Sequence, residues 1–563
     1  MLLKICVAQL NYCVGDMAGN ARKIIAAARQ AYAEGARLVL TPELAICGYA
    51  AEDLYLRPAF VQACEDAVDL IASELAGLSD LCVVIGSPVP VDGGPSLRTH
   101  SVSVPQLYNA ACVLQSGRRV QTYAKQELPN YQVFDERRYF KPGQGACVFH
   151  MGEGDDRVAL GLLICEDAWF EAPARQAKAA GAELLVVINA SPFHQGKGDE
   201  REAMMQSRSK SCGLPLVFAH LVGGQDEVVF EGRSFAVQAD GALAGRALSF
   251  EESLFAVDVL RNPGAGLYLA AACAPSRSLE ADLWDALVLG VRDYLGKNNF
   301  PGAILGLSGG IDSALVLAVA VDALGADKVR AVMMPSAYTA DISWLDAREM
   351  AARMNVRYDE ISIEPQVEAF KASLAGEFSG LTENTAEENI QARIRGVFLM
   401  ALSNKFGSIV LTTGNKSEMA TGYCTLYGDM AGGFAVIKDL LKTTVFKLAR
   451  WRNENDPYGT GQDPIPERII TRAPSAELRA DQTDQDSLPP YEVLDTILQR
   501  YMENDESIES LVAAGFDAAV VDRITRLIKV NEYKRRQSPI GIRVSHRSFG
   551  KDWRYPVTSQ FRA

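Results

Sequence analysis

Apolar and polar positions follow two rhythms along the first half of the chain. Short apolar runs rich in β-branched residues, "KICVAQL", "ARLVLTPE", "DLCVVIGSPV", "RVALGLLICE", "AELLVVINAS" and "LPLVFAHLVGG", read as strands. Stretches of helical period, such as Asn20 to Glu34, lie between them. Strands alternating with helices predict α/β layering. One internal echo fits two similar halves facing each other across a sandwich: "ARQAYAEGARLVL" from Ala28 returns as "ARQAKAAGAELLV" from Ala174. Any helix, closing glycine and strand would give the same echo.

The pattern changes at "NPGAGLYLAAACAPSRS", where proline, glycine and alanine replace periodicity. This predicts a linker over 262–278, between a domain at 1–261 and another at 279–563. In the second domain "ADLWDALVLGVRDYL" reads as a helix and "AILGL" as a buried strand. A helix from Ile311 to about Gly325, the strand "KVRAVMMPS", a helix from Asp341 and the strand "RYDEISI" follow. The long helix "ENIQARIRGVFLMALSNKF" and the strand "SIVLTTGN" complete the series. That order predicts a doubly wound parallel sheet, whose ligands sit beyond the carboxyl ends of the strands. Both "SGGIDS" and "TTGNKSE" fall there. The acidic, proline-bearing stretch from Pro474 to Pro490 reads as a mobile loop. The basic end "EYKRRQSPIGIRVSHRSFGKDWRYP" reads either as a solvated tail or as a clamp for a phosphorylated ligand.

Composition narrows the function. A chain of 563 residues exceeds one core and suggests two large domains. The net charge of -14 argues against nonspecific partners such as nucleic acid or an anionic membrane, and leaves small-molecule substrates. Eleven cysteines without CxxC pairs give neither a disulfide framework nor a zinc site, so a reducing compartment is expected. "MLLKICVAQL" lacks the pattern of a signal peptide, and the most apolar run, Ala314 to Val321, is too short to span a membrane. The expected location is the cytoplasm.

Gly306 to Leu317, "GLSGGIDSALVL", has a strand before it and a helix after it. Its small residues let backbone N–H groups converge on an anion at a helix N-terminus. It lacks the lysine of a Walker loop. Asp312 beside a phosphate makes sense if a divalent cation lies between them, so the loop predicts magnesium. With this context "SGGIDS" resembles the ATP pyrophosphatase family. The resemblance implies that Gly306, Leu307, Ser308, Gly309, Gly310, Ile311, Asp312 and Ser313 hold ATP, and that a substrate oxygen is adenylated before a nucleophile displaces AMP.

Cys165 ends the apolar strand of "LLICEDAWF". A buried structural cysteine is the ordinary case, and a nucleophile needs a base or a positive neighbour. None of the five histidines pairs obviously with it. Glu43 in "LVLTPELAICGY" and Lys125 in "VQTYAKQELPNYQVFDERRYF" also end strands. The three together resemble the nitrilase superfamily, with an α-β-β-α sandwich. In that family Glu43 would be the general base, Cys165 the nucleophile and Lys125 the oxyanion stabiliser. Glu136 either orients Lys125 or forms a surface salt bridge.

An amide-cleaving half joined to an adenylating half resembles the glutamine-dependent NAD synthetases. That family converts deamido-NAD (nicotinate adenine dinucleotide), ATP and glutamine to NAD, AMP, pyrophosphate and glutamate. The resemblance implies Tyr131, Ser191 and Lys197 at glutamine, and Thr413 of "LTTGNKSE" near the nucleotide. It further implies Asn389, Glu418 and Lys534 at deamido-NAD, Asp312 and Glu418 at Mg2+, and Lys438 near phosphate. A sheltered ammonia tunnel and a homo-oligomer are expected on the same ground. One departure is His220 in "HLVGGQDEVVFEG", where the family pattern leads one to expect an asparagine-containing strand end. The rival readings are another amidotransferase with an ATP-pyrophosphatase half, such as asparagine or GMP synthetase, and an inactive binding protein. Asparagine synthetases start at a nucleophilic cysteine whereas this chain begins Met-Leu, and GMP synthetases use a Cys-His-Glu set.

Overall fold

Strand Leu3–Gln9 is buried on both faces, which accounts for its unbroken apolar run. Ile5 and Val7 point into one core, and Cys6 and Ala8 into another. In this computed structural model, residues 2–91, 98–99, 102–103, 107–262, 266–475, 477–479, 482–486 and 488–561 are described. The chain divides into two compact units, Met1–Ser278 and Leu279–Ala563.

In the first unit Leu3–Gln9 belongs to a seven-stranded sheet. Its order is Gly266–Ala271, Ser253–Asn262, Leu3–Gln9, Leu38–Leu40, Cys82–Pro90, Leu107–Gln115 and Arg118–Ala124. A six-stranded sheet runs Leu243–Arg246, Phe235–Val237, Leu216–His220, Leu184–Asn189, Val158–Ile164 and Val148–Met151. Ile5, Val7, Leu40 and Val84 of the first sheet share a core with Leu162, Ile164, Val186 and Ile188 of the second, so the sheets pack face to face. Each such fully buried side chain contributes about 1.5–3 kcal/mol. Helices Met17–Ala33 and Pro58–Glu74 cover the outer face of the first sheet with Ile24, Ala28, Val68 and Ile71. Glu171–Ala179 and Lys197–Cys212 cover the second. The result is the expected α-β-β-α sandwich.

The segment read as a linker is partly sheet. Gly266–Ala271 pairs antiparallel with Ser253–Asn262, and its Leu269 is fully buried in the sandwich core. Leu267, Leu269 and Ala271 alternate as a strand requires, but the flanking prolines and glycines mask the pattern. Residues 263–265 of that segment lie outside the described residues.

The second unit carries a five-stranded sheet, ordered Arg357–Glu360, Val329–Met333, Ala303–Gly306, Ile409–Thr412 and Phe434–Ala435. Every pairing in it is parallel. The strand order reverses between Ala303–Gly306 and Ile409–Thr412, where a doubly wound sheet opens a crevice. Both glycine-bearing turns leave from those two strands.

Two expectations at the end of the chain change. The basic terminus is not a solvated tail: Arg535 and Arg543 are buried and paired with Glu532 and Asp552. The acidic stretch after Pro474 is tied down where it is described. The Leu478 carbonyl accepts from Gln391 at 3.0 Å, and buried Asp484 accepts from Tyr491 at 2.7 Å. Residues 476, 480, 481 and 487 of that stretch lie outside the described residues. Among the described residues no helix is long and apolar enough to cross a membrane, and all eleven cysteines are free thiols.

Candidate functional site

Glu43, Lys125 and Cys165 form one buried cluster in the first unit, each delivered by the end of a strand. Glu43 follows Leu38–Leu40. A Cβ on Gly86 of the neighbouring strand would sit 2.2 Å from the Leu44 nitrogen, so only glycine lets this backbone pass. Lys125 follows Arg118–Ala124. Cys165 follows Val158–Ile164 and opens a short 3-10 turn, with its own φ at +46° in the left-handed region. A non-glycine residue held there is strained, a common condition at reactive positions. Asp167 fixes this turn to the Lys125 segment. Its carboxylate accepts from the Ile164, Gln126 and Glu127 amides at 3.1, 2.9 and 2.8 Å and from the Tyr123 hydroxyl at 2.8 Å.

The Lys125 ammonium donates to Glu43 Oε1 at 2.7 Å and to the Glu136 carboxylate at 2.8 and 3.0 Å. Glu136 is only 4% exposed, which removes the surface salt bridge as an option. Asn109 donates to Glu43 Oε1 at 2.7 Å, and the Ala190 amide donates to Glu43 Oε2 at 3.0 Å. An ammonium has three protons, and three carboxylate oxygens engage them, two of these oxygens belonging to Glu136. Burial alone would lower the Lys125 pKa, but the Glu136 and Glu43 charges raise it well above the ordinary value. Burial, helped by the Glu43 charge, also pushes the Cys165 thiol well above the ordinary range. Cys165 is therefore a thiol at rest. Burial holds Glu136 up at about 7, against the pull of Lys125.

The glutamine candidates lie around this cluster. Tyr131 is half exposed, and its hydroxyl donates to the Glu166 carboxylate at 3.0 and 3.1 Å. The Lys197 ammonium stands 4.4 Å over the Trp169 ring. Ser191 is buried one residue beyond Ala190, and its Oγ accepts from Arg201 Nε at 3.1 Å. Asn109 and Arg201 carry no motif of their own and escape a reading of the sequence, whereas Glu166 stands next to Cys165 in "LLICEDAWF" with no role assigned to it there. Asn109 sits in the interior of "LYNAACVLQ", where a single polar residue in an apolar strand is the only available signal.

The second unit has a cavity of about 500 Å³ at the switch point of its sheet. Gly306, Leu307, Ser308, Gly310, Ile311, Asp312 and Ser313 line it, together with Thr413, Asn389, Glu418 and Lys534. Gly309 instead makes the turn: its φ is +79°, and a Cβ there would meet the Ser343 carbonyl at 2.3 Å. Ser308 Oγ and Ser313 Oγ lie 3.1 Å apart, and the Ser308 and Gly310 amides point at these hydroxyls at 3.2 Å each. Asn389 accepts from the Thr425 hydroxyl at 2.7 Å. Lys534 donates to the Gly422 and Cys424 carbonyls at 2.8 and 2.9 Å. Lys438 is not among the lining residues, and its ammonium donates to the Pro539 carbonyl at 2.8 Å. The segment "YGDMAGGFAVIKDLLKT" that contains Lys438 also carries Lys442, which does line the cavity.

Lys442 is nearly fully buried, hydrogen-bonds Asp312 Oδ2 and reaches Glu418 Oε1 at 3.3 Å. Asn415 donates to Asp312 Oδ1 at 2.8 Å, and its amide N–H donates to Glu418 Oε2 at 3.2 Å. Burial and the Asp312 charge push Glu418 up to about 8. One lysine thus faces two carboxylates, an acidic pair suited to a hard cation. Among the described residues there is no group of three or more His, Cys, Asp or Glu fit for a metal. The two carboxylates fit magnesium only with phosphate oxygens and water completing the shell, as is usual for this ion at nucleotides.

Comparison with known proteins agrees with both units. Residues 4–262 match the carbon-nitrogen hydrolase family and residues 283–538 the NAD synthase family. The glutamine-dependent NAD(+) synthetase of Xylella fastidiosa is 47% identical over 563 residues, covering 100% of this chain and 99% of its own. That of Acinetobacter baylyi is 45% identical, with 99% of each chain covered. The solved structure of the Acinetobacter baumannii enzyme, in complex with ADP, is 41% identical with a TM-score of 0.77, covering 99% of this chain and 98% of that one. The chain belongs to the family of glutamine-dependent NAD(+) synthetases.

Proposed function

We propose that this glutamine-hydrolysing ligase makes NAD from deamido-NAD, with ammonia from glutamine and with ATP split to AMP and pyrophosphate. The observation that carries the reading is the buried Glu43, Lys125 and Cys165 cluster in a chain whose other unit holds a phosphate loop with a carboxylate pair.

In the first unit Cys165 Sγ attacks the side-chain carbonyl of glutamine while Glu43 takes the thiol proton. Lys125 turns one proton from its longer Glu136 contact, at 3.0 Å, to the oxyanion. As the tetrahedral intermediate collapses, the C–N bond breaks and Glu43 returns its proton to the departing ammonia. Water, deprotonated by Glu43, then cleaves the thioester, and glutamate leaves as Cys165 regains its proton. Tyr131, Ser191 and Lys197 hold the amino-acid end of glutamine.

In the second unit a carboxylate oxygen of deamido-NAD attacks the α-phosphorus of ATP and pyrophosphate leaves. Ammonia then attacks the acyl adenylate, AMP leaves and one proton is released. Gly306 to Ser313 and Thr413 hold the nucleotide, and Asn389, Glu418 and Lys534 hold deamido-NAD. Magnesium held by Asp312 and Glu418 would supply charge neutralisation at the phosphates. Lys442 brings a second cation to the same place.

The test is mass spectrometry of products from deamido-NAD, ATP, magnesium and amide-labelled glutamine. Label in NAD is expected. Label in a different amide, with none in NAD, would point to another carboxylate substrate and refute the reading.

A further inference from the structure

His220 departs from the strand end that the family pattern leads one to expect, and it is fully buried beside the candidate glutamine pocket. It ends strand Leu216–His220, parallel to Leu184–Asn189 and in register with Asn189. The hairpin Val222–Gln225 and Val228–Glu231 that follows brings Glu231 back toward it. With the Asn189 amide oxygen turned to the Ala190 and Ser191 N–H groups (3.3 and 3.1 Å), that oxygen also accepts from Ser191 Oγ and His220 Nδ1, each at 3.0 Å. On the other side Arg201 donates to Ser191 Oγ at 3.1 Å, to the Ser191 carbonyl at 3.4 Å and to Glu231 Oε1 at 2.7 Å. Glu231 Oε2 lies 3.5 Å from His220 Nε2. Burial, then the Arg201 charge, keep the imidazole below its ordinary pKa, so it is neutral near pH 7.

These contacts form an open ring, His220 to Asn189, Asn189 to Ser191, Ser191 to Arg201 and Arg201 to Glu231, whose ends, Glu231 Oε2 and His220 Nε2, approach to 3.5 Å without a hydrogen bond. The short segment it encloses has two duties. Ala190 N–H holds the Glu43 carboxylate, and Ser191 Oγ is a candidate contact for glutamine. A serine hydroxyl has one proton and two acceptor sites. Asn189 takes the proton and Arg201 one acceptor site, so Ser191 presents a single remaining lone pair in a fixed direction.

We propose that His220, through Asn189 and with the Arg201–Glu231 pair, is a positioning residue that sets Ser191 for glutamine recognition. The proposal rests on the reading of the first unit as a glutaminase with Ser191 in its pocket. It touches no reacting atom. Its loss therefore acts on glutamine affinity, and a hydrogen-bonding replacement at the same position restores much of the effect.

The experiment is a double-mutant cycle on the full-length enzyme with Ser191→Ala and His220→Leu, plus His220→Asn as the hydrogen-bonding replacement. Glutamate release and ammonium-dependent NAD synthesis are both measured. Ser191→Ala and His220→Leu are each expected to raise KM for glutamine about tenfold, with kcat changed by less than about threefold. The double variant should be no more than about twofold worse than Ser191→Ala alone, because residues acting through one another do not add. His220→Asn should recover to within about threefold of wild type. If His220→Leu does not fold, the cycle is run with Glu231→Leu, which removes the acceptor of Arg201 and so breaks the ring, and the same non-additivity is expected. Additive effects, a wild-type KM in the variant that breaks the ring, or a loss confined to kcat would overturn the proposal. Absence of Cys165-dependent glutamate release in the wild type would instead refute the glutaminase reading.

Discussion

Lys442 takes the place of the lysine that "GLSGGIDSALVL" lacks, and replacing it by methionine tests that idea. The substitution keeps most of the side-chain volume and removes the charge. In the resting site the ammonium faces Asp312 and lies 3.3 Å from Glu418. At a hydrogen-bonding separation of about 3 Å, an ammonium and a carboxylate such as Asp312 attract by roughly 5 kcal/mol at an effective dielectric of about 20. Glu418, raised to about 8, is largely protonated at neutral pH, so most of the attraction belongs to Asp312. Removing one partner of a buried pair costs about 3–5 kcal/mol, part of it in folding. Loss of one preorganised cation at the transferring phosphates costs about 2.7–4 kcal/mol in the transition state. Ammonium-dependent NAD synthesis by Lys442→Met should therefore show kcat/KM for ATP lower by about 10²–10³. The assay couples NAD formation to a dehydrogenase with ammonium as nitrogen donor, beside a thermal melt. The same preparation should still release glutamate from glutamine. A folded Lys442→Met protein with near-normal kcat/KM for ATP would refute the view that this lysine serves the phosphates.

Three further outcomes follow from the geometry. Cys165→Ala should abolish glutamine-dependent NAD synthesis and leave the ammonium-dependent reaction intact; loss of both would mean that Cys165 also supports the fold. Asp312→Asn should lower the ammonium-dependent rate by about 10²–10³ and move magnesium saturation to higher concentration, whereas unchanged saturation would remove Asp312 as a ligand. Glu136 is held at about 7 in the fold against 4.5 ordinarily, so between those pH values the folded chain keeps a proton that the unfolded chain has lost. Stability from this group is then greatest below about pH 4.5 and declines as pH rises to about 7, by roughly 3 kcal/mol. Glu136→Gln should flatten that decline in denaturant melts at pH 5 to 8, and an unchanged slope would show that Glu136 does not carry it.

The layered architecture was legible in the sequence because buried parallel strands leave apolar runs and their carboxyl ends mark ligand sites. Glu43 and Cys165 stand at such ends, and so do the two turns that meet at Asp312, whereas Lys125 follows Arg118–Ala124, a largely exposed antiparallel edge strand. What the pattern hid arrives from distant chain. Asn109 reaches Glu43 across 66 residues of sequence, and Lys442 reaches Asp312 across 130. No local spacing encodes either contact. The sequence points to Lys438 for phosphate, but it is Lys442, four residues on, that lines the cavity, and the side-chain direction that separates them is set only by packing. The strand Gly266–Ala271 was overlooked because glycine and proline beside it outweighed three alternating apolar residues. The basic terminus misled in the opposite way: its charge is visible in sequence, but the buried carboxylates that absorb it, Glu532 and Asp552, are visible only in the fold.

The burial of Cys165 has a consequence for its durability. Peroxides and disulfides react with thiolates, and exposed low-pKa cysteines are the first to move up the oxidation ladder to sulfenic and sulfinic acids. Here burial and the Glu43 charge keep the sulfur protonated at rest. The enzyme can thus keep a nucleophilic cysteine without presenting a thiolate to passing oxidants. The resting protein should therefore lose its Cys165 thiol to peroxide more slowly than exposed Cys273.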